Sequence, residues 1–338
     1  MATASAALGF GDVNPLRIGV LGAAQITPMA LIRPARAVPD VAVTAVAARD
    51  PARARAFADR HDIPVVHGSY ADVVEDPDID AVYIPLPNSL HAEWTVAAIA
   101  AGKHVLCEKP MTSNAKEAQQ VADAAEASGL VVMEAFHYRY HPLAVRALEL
   151  LDTIGPIRHV HTRMCFPLPR FSNIRYRLDL AGGALMDAGC YAIHFMRTLG
   201  GAQPEVVSAR AKLRSPQVDR YLTAGFRFPD GATGQATASM WSARLIGISA
   251  RVIGEAGELR VFNYVAPQIY NRLTVSVGGK TSHERVRGEP TYTYQLRAFA
   301  DAIRSGGPVL TPAADAVNNM RLIDDAYRAA GLEPRGLR

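Results

Sequence analysis

The stretch Gly102-Lys103-His104-Val105-Leu106-Cys107-Glu108-Lys109-Pro110 decides how this chain is organised. A glycine opens it, and the apolar run that follows reads as a buried strand. A charged pair and a proline close it. Proline has no N–H to give to a sheet ladder, so the strand must end there. That ending delivers the ammonium of Lys109 to the carboxyl edge of a sheet. In open α/β sheets, ligands bind at that edge. A lysine at a strand end can also be plain solvated surface, so the neighbouring stretches have to decide.

Upstream, residues 80–86 (DAVYIPL) read as a strand that passes Pro85 and Leu86 into Pro87-Asn88-Ser89-Leu90-His91. Asn88 or Ser89 is expected to cap a helix running to Gly102. Further upstream, residues 16–21 form a short apolar strand. It runs into Gly22-Ala23-Ala24-Gln25-Ile26. With Gly19 this gives G-x-x-G-A-A rather than the full G-x-G-x-x-G. Small residues there permit a tight turn and let a phosphate approach backbone N–H groups at a helix start. An ordinary strand-to-helix turn has the same composition. Residues 41–48 are a second strand, followed by Arg49. Asp50 then reads as a helix N-cap and Pro51 as the first helical residue. A short strand at 65–67, a helix over 113–128 and a strand over 130–135 complete the series. Strands alternating with helices at this spacing imply a doubly wound parallel sheet.

The pattern changes after Phe136. The stretch His137-Tyr138-Arg139-Tyr140-His141 with Pro142 starts a helix, and from Ile157 strands dominate: 157–166, 206–213, 220–228, 233–242, 246–253, 259–264 and 273–277. A helix-like segment lies over 182–199, and two helices close the chain, at 294–305 and 313–330. The expected architecture is α/β. A dinucleotide-type domain spans residues 1–136, with 1–14 as a flexible lead-in. An α+β domain with a large, mostly antiparallel sheet spans 137–338.

The chain has 338 residues, 49% hydrophobic and 20% charged, which suits a globular protein of about two domains. No apolar run reaches the ~18 residues of a membrane span. The first residues lack the basic start and apolar centre of a secretory signal. Three scattered cysteines argue for a reducing compartment, the cytoplasm, and against a disulfide frame. The net charge of +4 is spread among acids, which argues against nucleic-acid binding and suits an anionic ligand.

The second informative stretch is Ala181-Gly182-Gly183-Ala184-Leu185-Met186-Asp187-Ala188-Gly189-Cys190-Tyr191. A helix here sets Asp187 and Tyr191 one turn apart on one face. The paired glycines let a ligand or another backbone come close. A solvated aspartate and a half-buried tyrosine at a glycine-rich helix start are the bland alternative.

Taken in order, the dinucleotide-type turn, PNSLH, AGKHVLCEKP and GGALMDAGCY resemble the GFO/IDH/MocA oxidoreductases over most of the chain. Tyr191 and the Asn173-Ile174-Arg175 stretch resemble the subgroup of dimeric dihydrodiol dehydrogenases and NADP-linked xylose dehydrogenases. The resemblance implies a Rossmann domain followed by an open sheet, and hydride transfer at a carbon bearing hydroxyl or carbonyl. It implies Lys109, Asp187 and Tyr191 as catalytic residues. Losing hydride from an alcohol requires losing a proton, so an acid/base is needed. Tyr191 is the first candidate, with its phenol pKa lowered if Lys109 is near; Lys109 is the second. Lys109 can also stabilise a developing alkoxide. Asp187 could orient Lys109 or hold a second substrate hydroxyl.

Gly19, Gly22, Ala23, Ala24, Gln25, Ile26, Arg49, Arg53, Pro85, Leu86, Pro87, Asn88, His91, Glu108 and Lys109 are expected around the cofactor. An NAD enzyme of this fold places a carboxylate at the end of the second strand. Here that strand ends in alanines and Arg49, which suits the 2′-phosphate of NADP. Asp50 swinging to the ribose is the counter-reading, favouring NAD. Arg175, Arg177, His194, Phe166 and Trp241 are candidates for a polyhydroxylated substrate, although exposed arginines usually face solvent and His194, Phe166 and Trp241 could fill core. His137 and His141, one turn apart, form a possible metal pair without a third ligand, so no metal is expected. An NAD-linked inositol or polyol dehydrogenase and a non-catalytic NADP(H)-binding regulator are the rival functions. Apolar residues on both alternate sets of strands 233–242 and 259–264 point to a homodimer, or a higher oligomer, through the open sheet face. The Lys109–Pro110 peptide is expected to be cis.

Overall fold

The structure, a computed structural model, describes residues 14–243 and 246–336. Residues 1–13 of the expected lead-in lie outside the described residues. Six parallel strands form the first sheet: β1 (Leu16–Leu21), β2 (Val41–Ala47), β3 (Val65–Val66), β4 (Ala81–Ile84), β5 (His104–Cys107) and β6 (Val132–Glu134). Their order is β3-β2-β1-β4-β5-β6. The strand order reverses between β1 and β4, and crevices at such reversals take ligands. Around the sheet lie α1 (Arg33–Ala37), which continues a π-turn over Pro28–Ile32, and α2 (Pro51–His61), α3 (Tyr70–Glu75), α4 (His91–Ala100) and α5 (Ala115–Ser128).

Local chemistry sets these helix starts. Asp50 accepts from the amides of Ala52 and Arg53 at 2.9 and 3.4 Å, with Pro51 next. Asn114 caps α5 through the amide of Glu117 at 3.0 Å. Helix α3 was not expected, although Ser69 and Asp72 form a reciprocal capping box before it. The cap expected for α4 is absent. Asn88 and Ser89 lie inside a 3-10 turn, Asn88–Leu90, that runs straight into the helix. Asn88 Nδ2 donates instead to the carbonyl of Ala181, 3.2 Å away in the second half of the chain.

The second half contains α6 (Pro142–Glu149), β7 (Ile157–Cys165), α7 (Cys190–Gly200), β8 (Glu205–Ser215), β9 (Val218–Arg227), β10 (Thr233–Ser239), β11 (Gly247–Gly254), β12 (Gly257–Phe262), β13 (Arg272–Val277), β14 (Lys280–Glu284), α8 (Thr291–Ser305) and α9 (Ala313–Ala329). The eight strands run β14-β13-β12-β11-β7-β10-β9-β8. Only the β7–β10 pair is parallel. Strand β14 escaped the sequence reading because Lys-Thr-Ser-His-Glu has no apolar alternation. Its signal was the turn, Gly278-Gly279 at φ 56° and 74°, which suits a tight hairpin.

Helix α7 buries Phe195 and Met196 against the inner face of this sheet, with Phe226, Val252 and Leu259 in the same core. The outer face corrects an expectation. It carries His161, Arg163, Arg251, Arg260, Arg272 and His283 around a shared hollow that Ala250, Val261 and Phe262 also line, with Glu258 paired to Arg251 and Arg260, so it is mixed rather than broadly apolar. The apolar residues of β10 and β12 point mainly inward: Ala236, Ala238, Leu259 and Val261 are all buried.

The last two helices return to the first sheet. Leu296 and Phe299 of α8 share a core with Ile18, Tyr83 and Leu106. Ala313 and Ala316 of α9 join Val105 and Val121. The first sheet ends at Glu134 and the second begins at Ile157, while the packing of the first depends on α8 and α9.

Candidate active site

Lys109 follows β5 by two residues, on a cis peptide to Pro110, as the sequence led us to expect. Its Nζ donates to the backbone carbonyl of Asp187 at 3.2 Å. It also lies over the face of the Tyr191 ring, 5.1 Å from the centroid. Three candidates separated by up to 82 residues thus meet where the carboxyl edge of the parallel sheet faces α7. Asp187 sits in a π-turn over Leu185–Gly189 that leads into α7. Burial pushes its carboxyl pKa up, while Lys109 and Arg175 pull it down. Arg175 Nε approaches Oδ1 at 3.4 Å. The other oxygen, Oδ2, is buried and has no hydrogen-bond partner among the described residues. A buried acceptor left unpaired is costly, and a ligand hydroxyl would satisfy it.

The Tyr191 hydroxyl contradicts one expectation. Its pKa lies well above the usual phenol value, raised first by burial and then by Tyr292 and Glu108. Lys109 was expected to lower it. The ammonium instead sits over the ring face and is engaged by the Asp187 carbonyl. Tyr191 is therefore a neutral phenol in this structure, one that holds its proton more tightly than a free tyrosine. Its oxygen lies 3.0 Å from His137 Nε2, a contact the sequence reading missed. The sequence presents His137 only as half of a possible metal pair, yet it follows β6, the neighbour of β5, by three residues. That proximity to Lys109 at one sheet edge was the available signal.

Several candidates are committed elsewhere. His194 is buried behind Tyr191, with Nε2 3.0 Å from Asp315 Oδ2 and Nδ1 2.5 Å from the Tyr138 hydroxyl. It stacks on Phe136 and is a packed histidine. Arg177 pairs with Asp179 at the surface. Gly19 faces packing, since a Cβ there would meet Val73 Cγ1 at 2.5 Å. His91 places Nδ1 and Nε2 each 2.7 Å from a backbone carbonyl, those of Pro110 and Leu86. It ties the loop after β5 to the loop after β4 and is buried. Glu108 accepts from the Tyr83 hydroxyl at 2.8 Å beneath Lys109. Phe166 packs at the margin of the second core. Trp241 meets Phe171 edge-on at 6.2 Å.

On the cofactor side, Gly22 turns at φ 112°, and a Cβ there would meet Leu86 Cδ2 at 3.1 Å. Ala23, Ala24, Gln25 and Ile26 follow, exposed or half-exposed. Arg53 Nη2 donates to the Ala23 carbonyl at 3.1 Å, so α2 is tied to this turn. Arg49 is exposed at the end of β2. Pro85 is buried, while Leu86, Pro87 and Asn88, just past β4, are half-buried.

Residues 16–136 match the GFO/IDH/MocA oxidoreductase family with its NAD-binding Rossmann fold, and residues 144–260 match that family's C-terminal domain. The chain belongs to the GFO/IDH/MocA family. This oxidoreductase is 36% identical over 317 residues to D-xylose 1-dehydrogenase (NADP(+)) 2 of Haloferax volcanii, covering 93% of this chain and 97% of the relative. It is 32% identical over 305 residues to trans-1,2-dihydrobenzene-1,2-diol dehydrogenase of Mus musculus, covering 86% and 89%. A 3-ketoreductase from Actinomadura kijaniata, crystallised with NADP and TDP-benzene, superposes with a TM-score of 0.87 at 32% identity, covering 94% of this chain and 98% of that one. Family membership accounts for both sheets.

Proposed function

We propose that this GFO/IDH/MocA oxidoreductase uses NADP to transfer hydride between the nicotinamide and a hydroxyl or carbonyl carbon of a sugar or cyclic diol. The observation that carries the site reading is the juxtaposition of Lys109, the Tyr191 phenol and the unpaired Asp187 Oδ2. The similarity to NADP-linked sugar and diol dehydrogenases supports the cofactor and the substrate class.

The residues fit NADP. Gly22 keeps open a cradle that a Cβ would narrow, at the β1–β4 reversal. The carboxylate that could have favoured NAD, Asp50, is spent on capping α2. Arg49, just past the end of β2, and Arg53, on the first turn of α2, are the cations we assign to a 2′-phosphate. Bound NADP would supply or accept the hydride.

In the reducing direction, the neutral Tyr191 phenol gives its proton to the substrate oxygen. Lys109 Nζ donates to the same oxygen and stabilises negative charge as it develops. Asp187 Oδ2 accepts from a neighbouring hydroxyl, with Arg175 steadying Oδ1. Oxidation runs the same proton path in reverse. Lys109 is the second candidate for proton transfer.

The division into a cofactor domain over 1–136 and a substrate domain over 137–338 is part of this reading, as is a cytoplasmic location, which three buried thiols support. Among the described residues, no helix is long and apolar enough to cross a membrane. A homodimer through the open sheet is supported by an apolar rim at one end, where Phe262, Ile269 and Tyr270 are exposed. The test is a screen of aldoses, polyols and trans-diols with NADP, following absorbance of the reduced nicotinamide. Tight NADP binding without turnover of any of them would mark a cofactor-binding protein instead.

A further inference from the structure

We infer that His137 is a positioning residue for the proton transfer: it holds the Tyr191 hydroxyl through Nε2 and is itself held by Thr291 through Nδ1. The inference rests on the reading of Tyr191 as proton donor. Three separate parts of the chain meet in this array. His137 opens the turn after β6, Tyr191 lies on α7, and Thr291 is the first residue of α8. The contacts are 3.0 Å from Nε2 to the Tyr191 oxygen and 2.7 Å from Nδ1 to Thr291 Oγ1. The imidazole lies 4.0 Å from the ring of Tyr292, centroid to centroid, which fixes its plane. His137 and Thr291 are both buried.

The consequences follow from hydrogen-bond counting. Burial, and then Lys109, push the His137 pKa down to about 3, so the ring stays neutral. A neutral imidazole offers one N–H and one lone pair. If Thr291 donates to Nδ1, the proton sits on Nε2 and is offered to the Tyr191 oxygen. The phenol proton is then left for the substrate. In the opposite arrangement Tyr191 donates into His137, and its proton is occupied. Thr291 is the group that can select the productive tautomer. During reduction the Tyr191 O–H bond breaks, an O–H bond forms on the substrate, and the hydride pair comes from reduced NADP. The phenolate left behind keeps the His137 N–H as a charge-assisted partner. No proton leaves His137, and Tyr191 regains its own from water after product departs.

The test uses the full-length enzyme with a working substrate and four variants. His137→Phe should lower kcat by about 10–100-fold, the value of a hydrogen bond to a charged group. NADP affinity should be unchanged. The alkaline limb of the kcat–pH profile for reduction should move up by on the order of one unit, because the phenolate loses a donor. Other titratable groups facing Tyr191 are Tyr83 on β4, Lys109 and Glu108 after β5, Tyr138, Cys190 and Tyr292, and none is altered. His137→Gln, which restores an N–H, should recover most of the activity. Thr291→Val should lower kcat by about 3–10-fold and move the limb the same way. A merely structural role would leave the limb in place.

A wild-type limb and kcat in His137→Phe, with Tyr191→Phe inactive, would overturn this inference alone. Should His137→Phe fail to fold, an unmoved limb in Thr291→Val overturns it equally. Full activity in Tyr191→Phe would remove the proton-donor reading itself, before His137 enters.

Discussion

Replacing Arg335 by leucine should cost far more stability than its place near the chain end suggests. Arg335 is fully buried and spends its guanidinium on three partners. Nη2 donates to Asp219 Oδ1 at 3.0 Å, Nε to the Gly182 carbonyl at 3.0 Å, and Nη1 to the Glu333 carbonyl at 3.0 Å. Its face lies 4.0 Å from the Tyr327 ring centroid. Asp219 is equally buried and also accepts from the Leu185 amide at 2.7 Å and the Tyr327 hydroxyl at 3.0 Å. Removing the cation strands a buried carboxylate, which typically costs about 3–5 kcal/mol. The remaining two donors to Asp219 place the expectation at the lower end, about 3 kcal/mol. Burial already pushes the Asp219 pKa up, against the pull of Arg335. Without Arg335 it rises further. A carboxyl whose folded pKa exceeds its unfolded value favours folding when protonated, and that contribution is lost as pH rises through the folded value. The deficit of the variant, measured against wild type at each pH, should therefore be largest at neutral pH and shrink on acidification. Urea unfolding followed by circular dichroism at several pH values measures this. A deficit under about 1 kcal/mol at neutral pH, or one that grows on acidification, would refute the reasoning.

Other outcomes are expected from the site. Tyr191→Phe and Lys109→Met should each lower turnover by about 10²–10⁴-fold, with NADP binding preserved in Tyr191→Phe, as steady-state kinetics and cofactor titration can check. Arg49→Ala should weaken NADP more than NAD; equal kcat/KM for the two cofactors in wild type would show the β2 terminus has been misread. Asp187→Asn should raise KM for a polyhydroxylated substrate more than for one lacking the second hydroxyl, which paired substrates would reveal. Small-angle scattering at micromolar concentration should return a dimeric mass, and Phe262→Asp with Tyr270→Asp should reduce it to a monomer.

Much of the fold was legible because each parallel strand is a short apolar run with a turn signal at its end. Asp50-Pro51 and Lys109-Pro110 each announced the structure beside them. Elements without apolar periodicity were lost: β14 is polar throughout, and α3 is short. That Lys109, Asp187 and Tyr191 lie together was legible because the motifs that carry them were read as a pair. What sequence could not supply was direction. His194 and Tyr191 are three apart on one helix, yet Tyr191 meets Lys109 while His194 meets Asp315. Arg175 and Arg177 are two apart, and only the first reaches Asp187. The sign of the Tyr191 shift was equally hidden, since it depends on burial that no spacing reveals.

The paired glycines show how sequence reaches the chemistry. Gly182-Gly183 left open whether a ligand or another backbone comes close. It is another backbone on one side and a buried carboxylate on the other. A Cβ on Gly182 would meet the carbonyls of Arg175 and Arg177 at 2.6 and 2.8 Å. A Cβ on Gly183, at φ 147°, would meet Asp219 Oδ1 at 2.2 Å and the Tyr327 hydroxyl at 2.7 Å. The first contact lets the 174–177 turn lie against the start of the segment bearing Asp187, and so brings Arg175 Nε to Oδ1. The second lets Asp219, Tyr327 and Arg335 grip that segment, through the Leu185 amide and the Gly182 carbonyl. With one carboxylate oxygen beside Arg175 and the backbone clamped from below, Oδ2 is the atom of Asp187 left without a hydrogen-bond partner among the described residues. Two missing side chains thereby fix the aim of a third.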